Sequence, residues 1–309
     1  MVSYLLKRLG YATGLLLAVI TLNFLLIHIS PGDPVETIAG SMGGMTEELR
    51  AQLREEFGLD KPFLVQLGIY LSNVVQGDLG QSYYFNAPVM SLILERVPAT
   101  LLLVVVSVLL AFVIGTLMGA LAARRPNGLL SQVVTFLSIV GYSAPVFWTG
   151  IVLIILFASV WPIFPVSDMR TPGMSEGGWA GIVDVVHHLV LPSFTLAFVY
   201  IAQYSRLARA SMIDALSADY IRTARAKGLP EGIVIYKHAL RNAVLPVVTM
   251  LGMQFGNVLA GAILVETVFN WPGLGRLAFD SVLRRDYPTL LGILFFASLM
   301  VVIMNQLTD

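Results

Sequence analysis

The chain has 309 residues, 57% hydrophobic and 12% charged, with a mean hydropathy of +0.80 and no net charge. Soluble domains carry roughly 25% charged residues, so the composition excludes an ordinary soluble domain and places the chain in a membrane. Balanced charge gives no sign of a nucleic-acid partner, and the absence of cysteine excludes disulfides, thiolate metal sites and cysteine nucleophiles.

The first element is a charge-free run, residues 9–32, behind Lys7 and Arg8. It lacks a small-x-small cleavage site near its end and is long enough to cross a bilayer, so residues 9–29 read as an uncleaved first helix. A long connection, residues 30–97, follows. Within it residues 46–58 read as a helix: Thr46 caps, Glu47 and Glu48 suit the first turn, and Leu49, Leu53 and Phe57 share a face. Further spans are predicted at residues 98–122, 132–160, 189–207, 243–265 and 288–307, each close to the ~20 apolar residues that a crossing needs.

These elements predict an all-α membrane protein with six transmembrane helices, since a helix satisfies its own backbone in lipid. The chain is expected to form a single transmembrane domain. Residues 1–99 would supply the first helix and the long loop, and residues 100–309 a five-helix core. Pro145, after Gly141-Tyr142-Ser143-Ala144, should kink the third span and is a hinge candidate. Residues 171–181 read as a Gly-rich loop, and Asn270 to Gly275 as a turn with an interfacial Trp271. His187 and His188 are adjacent and point in different directions, which suits an interfacial helix start better than a metal site.

Orientation follows from Lys and Arg. With the N-terminus inside, 11 of the 19 basic residues fall in short inner segments, while 15 of the 19 acids fall in the longer outer ones. The positive-inside rule then puts both termini in the cytoplasm.

One inner segment stands out: Asp219-Tyr220-Ile221-Arg222-Thr223-Ala224-Arg225-Ala226-Lys227-Gly228, then Leu229-Pro230. Asp219 is a good N-cap, Gly228 a good left-handed C-terminal residue, and Pro230 a stop. A helix this short and this cationic cannot lie in lipid. It is either a docking element for a soluble partner or a solvated loop helix that helps to set topology.

Catalytic signatures are missing. The sequence has no G-x-x-x-x-G-K-[ST] phosphate loop, no G-x-S-x-G elbow and no H-E-x-x-H pair. Polar groups do occur within spans. Gln254, Asn257 and Gly261 share one face of the fifth span, with Glu266 at its end. They are translocation-path candidates, the alternative being interhelical hydrogen bonds. Gly115-x-x-x-Gly119 and Gly252-x-x-x-Gly256 permit close helix approach.

Several runs together resemble one family. They are Pro31-Gly32-Asp33-Pro34, Phe57-Gly58-Leu59-Asp60-Lys61-Pro62, Gly77-Asp78-Leu79-Gly80-Gln81-Ser82 and Gly141-Tyr142-Ser143-Ala144-Pro145, with the Asp219–Gly228 run, His238-Ala239-Leu240-Arg241-Asn242-Ala243, Glu266 to Arg276 and Arg285-Asp286-Tyr287-Pro288. The chain resembles the inner-membrane permease subunits of dipeptide, oligopeptide and nickel ABC importers, nearest to the first permease of dipeptide importers. The resemblance covers almost the whole length. It implies an importer-type permease fold in a bacterial inner membrane, with Asp219 to Gly228 as the coupling helix that docks an ATPase. It also implies a second homologous permease, two ABC ATPases, and an external solute-binding protein that delivers peptides or related solutes. ATP and magnesium would sit on the ATPases, leaving this chain without a cofactor, a metal or a catalytic role. The family's E-A-A triplet aligns here with Arg222-Thr223-Ala224, so the glutamate's role does not carry over. Relatives usually continue into a short basic tail beyond the position of Asp309. The rival readings are a self-sufficient channel or secondary transporter, and a membrane-embedded enzyme.

Overall fold

The computed structural model describes residues 2–29, 35–36, 39, 46–56, 58–173 and 177–308. Its helices, in chain order, are α1 (Val2–Ile29), α2 (Glu47–Glu56), α3 (Phe63–Val75), α4 (Val89–Ala123), α5 (Leu129–Ser143), α6 (Val146–Ile154), α7 (Gly178–Ser217), α8 (Asp219–Ala226), α9 (Leu240–Val268), α10 (Leu274–Arg284) and α11 (Tyr287–Thr308). A π-helical stretch, Ile155–Val160, extends α6, and another, Val234–Ala239, leads into α9. No strand occurs among the described residues, only an isolated bridge between Gln81 and Pro88. Pro31 to Pro34 and Phe57 lie outside the described residues.

Among the described residues two helices, α4 and α7, are long and apolar enough to cross a membrane, and α5 with α6 and its π-helical extension makes a third candidate. That third candidate departs from expectation. Residues 132–160 are not one kinked helix; the chain bends by 106° after Ser143. Pro145 clashes with a helical residue before it, so Ala144 is extended (ψ 129°), and Pro145 itself is extended as well (ψ 134°). Two consecutive extended residues end one helix and start another. The fourth predicted span is likewise only part of α7, which starts at Gly178 inside the expected loop and runs for 40 residues, about 60 Å.

The chain divides into two compact units, with the boundary inside α4 at Pro98. The first unit comprises residues 1–98 with 273–306, so the C-terminal helices group with the N-terminal segment rather than with residues 100–272. Its core joins Ile20, Val74, Leu79, Val89, Ile93, Leu277 and Ile293. Gly292 allows α11 to approach α4; a Cβ there would lie 2.5 Å from Val89. Two motifs distant in sequence meet at the fully buried Asp286, which accepts from the Ser82 hydroxyl, the Tyr83 N–H and the Thr289 hydroxyl. A buried carboxylate is tolerated because its oxygens are so satisfied. In α2, Thr46 accepts from the Leu49 N–H as the capping pattern predicts.

The second unit, residues 99–272, packs α4, α6 and α9 around α7. Gly115 and Gly119 are used within the chain: added Cβ atoms would lie 2.9 Å from the Ile201 carbonyl and 2.4 Å from that of Ser205. Trp271 is wholly buried, not interfacial as the turn-rich segment suggested, and donates from Nε1 to the Ala99 carbonyl at 2.9 Å. The segment after α6 is fastened to α7. His187 Nε2 bonds the Ile163 carbonyl, and Asp184 accepts from the backbone and hydroxyl of Thr171. His188 Nδ1 turns back to the Asp184 carbonyl.

Candidate functional site

The short helix α8 begins one residue earlier than its sequence suggests. Ala218, extended at ψ 150°, holds the N-cap position without a side-chain bond, and Asp219 is the first helical residue. Asp219 therefore does not cap; it faces the positive end of the helix and lies 3.5 Å from Arg222. The C-terminal end matches the glycine's expected role. Gly228 has φ +76°. Its N–H reaches the Arg225 carbonyl at 2.9 Å, and the Leu229 N–H reaches that of Ala224 at 3.4 Å. This pair of bonds is a Schellman closure.

One face of α8 is anchored. Ile221 and Ala224 are buried among Ala120 and Ala123 of α4, Met212 and Ala215 of α7, and Val234, Ile235 and Ala239. The opposite face is open. Tyr220 is exposed, as are Arg222, Thr223 and Lys227. Beside it a recess of about 270 Å³ is lined by Asp214, Tyr220, Asn242 and Pro246. Arg225 belongs to neither face: its guanidinium donates twice to Glu231, at 2.7 and 3.2 Å, across the turn. That bond holds the Glu231 carboxyl below the usual glutamate range. Sequence reading missed this partner, which lies six residues on in the next helical turn.

The polar stripe of α9 turns inward. Gln254 is buried and donates to Gln203 Oε1 of α7 at 2.8 Å. Gly261 lies against Leu196 and Tyr200 of α7. Glu266 is fully buried and accepts from the Thr100 hydroxyl at 2.7 Å. The Asn257 side chain is outside the described residues. Pro145 stands at the 106° break. Sequence reading counted Arg206 among the inner basic residues that set orientation, although the predicted span 189–207 includes it.

Comparison with known proteins completes the picture. Residues 115–309 match the model of the "binding-protein-dependent transport system inner membrane component" family, and residues 1–104 match the corresponding N-terminal family. The dipeptide transport system permease protein DppB of Escherichia coli is 40% identical across 100% of this chain and 96% of its own length. The oligopeptide transport system permease protein AppB of Bacillus subtilis is 38% identical, and the di/tripeptide transport system permease protein DppB of Pseudomonas aeruginosa 37%, over the same shares.

Proposed function

We propose a function from one premise: the chain belongs to the family of binding-protein-dependent transport system inner membrane components. It is an ABC importer permease of the bacterial inner membrane, and its solutes are peptides, the class named for its relatives. It crosses the membrane six times with both termini in the cytoplasm; the lengths of α1, α9 and α11, at 28, 29 and 22 residues, support the spans that α4, α7 and the broken pair do not supply. It pairs with a second permease, receives solute from an external binding protein, and is driven by two ATPases that carry the ATP and magnesium. It performs no bond chemistry itself.

The observation that carries this reading is the two-faced α8. Its buried face fixes it to α4 and α7, while its cationic face is open. ATP bound to the ATPases drives transport by favouring one arrangement of the permease over the other. Force applied to α8 passes to Met212 and Ala215 on α7, a continuous helix that also carries Gln203 and, at its other end, Asp184. The test uses the cysteine-free background. A thiol introduced by Tyr220→Cys and labelled with a thiol-reactive photo-cross-linker should give an adduct with an ATPase subunit when the assembled complex is illuminated, with a yield that changes when ATP is added. Absence of any ATPase adduct, with the complex intact, overturns the docking assignment.

A further inference from the structure

Between α5 and α7 lies a recess of about 270 Å³ that contains two arginines, Arg206 and Arg209. Arg209 is tethered, donating to the Ser131 hydroxyl at 2.8 Å and to the Pro126 carbonyl at 3.1 Å. Arg206 stands 5.9 Å from the centre of the Tyr142 ring. Among the described residues no carboxylate pairs with either one. Arg206 lies 11 residues before the end of α7, about 17 Å, and inside the predicted span 189–207. Helical side chains lean toward the N-terminus of their helix, which carries its guanidinium toward Tyr142.

Arg206 is exposed, one residue from the inner end of that span, and an arginine at the edge of a span faces the bundle interior or a water-filled path rather than lipid. The neighbouring groups can serve an anion. Gln203 uses its Oε1 to accept from Gln254, which leaves its amide N–H groups free for the recess. Ser143, at the mouth, sits on the break that separates α5 from α6. Guanidinium binds carboxylate and phosphate by matched pairs of N–H donors.

We propose that this recess is an oxyanion site that holds the free carboxylate of the solute during passage, with Arg206 as its recognition residue. The inference rests on the peptide-importer reading given above. A lipid phosphate has the same chemistry, so the test must separate the two sources.

The whole importer is placed in nanodiscs, with Ser143→Cys as the only thiol in the permease. Labelling rates are compared for an anionic, sulfonate-bearing methanethiosulfonate and a cationic, trimethylammonium-bearing one, each normalised to a free thiol. The anionic reagent should react at least about fivefold faster, because unpaired charge in this setting sets a strong local potential. Arg206→Gln should weaken the preference, the charge of Arg209 remaining, and Arg206→Lys should keep it. A dipeptide with a free carboxylate should slow anionic labelling, and its C-terminal amide should not, in zwitterionic and anionic nanodiscs alike. No charge preference, or a preference that Arg206→Gln leaves undiminished, overturns the site. Equal protection by the amide overturns carboxylate recognition. Slowing that follows anionic lipid content, whatever the peptide, assigns the recess to a lipid phosphate and also overturns the proposal. Failure of the importer reading is distinguishable, since it appears as absence of ATP-driven uptake in the unmodified complex.

Discussion

Replacing Gly228 isolates the contribution of one backbone angle to coupling. At φ +76° the residue is in the left-handed region, and no atom lies within 4 Å of where a Cβ would stand. The cost of a substitution is therefore backbone strain without collision. It amounts to about 1–2 kcal/mol for an ordinary L-residue, less for asparagine, and more for a β-branched residue. A change of 1–2 kcal/mol shifts the intact closure about 5- to 30-fold against its opened forms. The closure carries the Gly228 to Arg225 and Leu229 to Ala224 bonds, so its loss frees the end of α8 that leads to Glu231. Peptide-stimulated ATP hydrolysis by the assembled importer should fall in the order Gly228→Asn, Gly228→Ala, Gly228→Val. Membrane abundance should stay normal, because Gly228 touches no core. Equal stimulation in all three variants refutes the reasoning, and so does loss in all three with no gradation.

Other sites give separate tests. Gly119→Ala would place a Cβ 2.4 Å from the Ser205 carbonyl; it should destabilise the chain in thermal unfolding by about 1–3 kcal/mol or more, whereas Gly14→Ala, with nothing within 4 Å, should be neutral or stabilising. Trp271→Phe keeps most of the volume but removes the buried bond from Nε1 to the Ala99 carbonyl, and should cost about 0.5–1.5 kcal/mol in the same assay. Arg225→Glu should impair coupling, and adding Glu231→Arg should restore it if the pair orients the turn; a double variant as poor as the single one would show that only the docking charge matters. Because Arg225 lowers the folded-state pKa of Glu231, the pair's contribution is fully present above the ordinary glutamate range. It is lost as pH falls through the folded value, so the benefit of the pair in that assay should vanish on acidification, though it stays small for an exposed contact.

Much of this architecture is local in origin and legible from sequence. Apolar length marks α4 and α7, and the position of Gly228 follows from the need for a left-handed residue after a short helix. Gly115 and Gly119 announce a close approach, though not that α7 is the partner. Other features depend on contacts that no local pattern specifies. Pro145 foretells a lost donor, but the turn of 106° depends on where α6 packs, with Gly150 against Thr195 and Phe269. Trp271 suits an interface and a core equally, and the Ala99 carbonyl decides for the core. The Arg225 to Glu231 pair spans a turn closed by Gly228, so neither helical spacing nor strand alternation foretells it. Ala218 rather than Asp219 takes the cap because its extended backbone follows directly from the end of α7.

The central claim is tested most directly by uptake into proteoliposomes containing this chain with its partner permease and ATPases, and the binding protein outside. Radiolabelled dipeptide should accumulate inside above its external concentration only when ATP and magnesium are present in the lumen, on the ATPase side. Accumulation without ATP, or by this chain alone, would contradict the account.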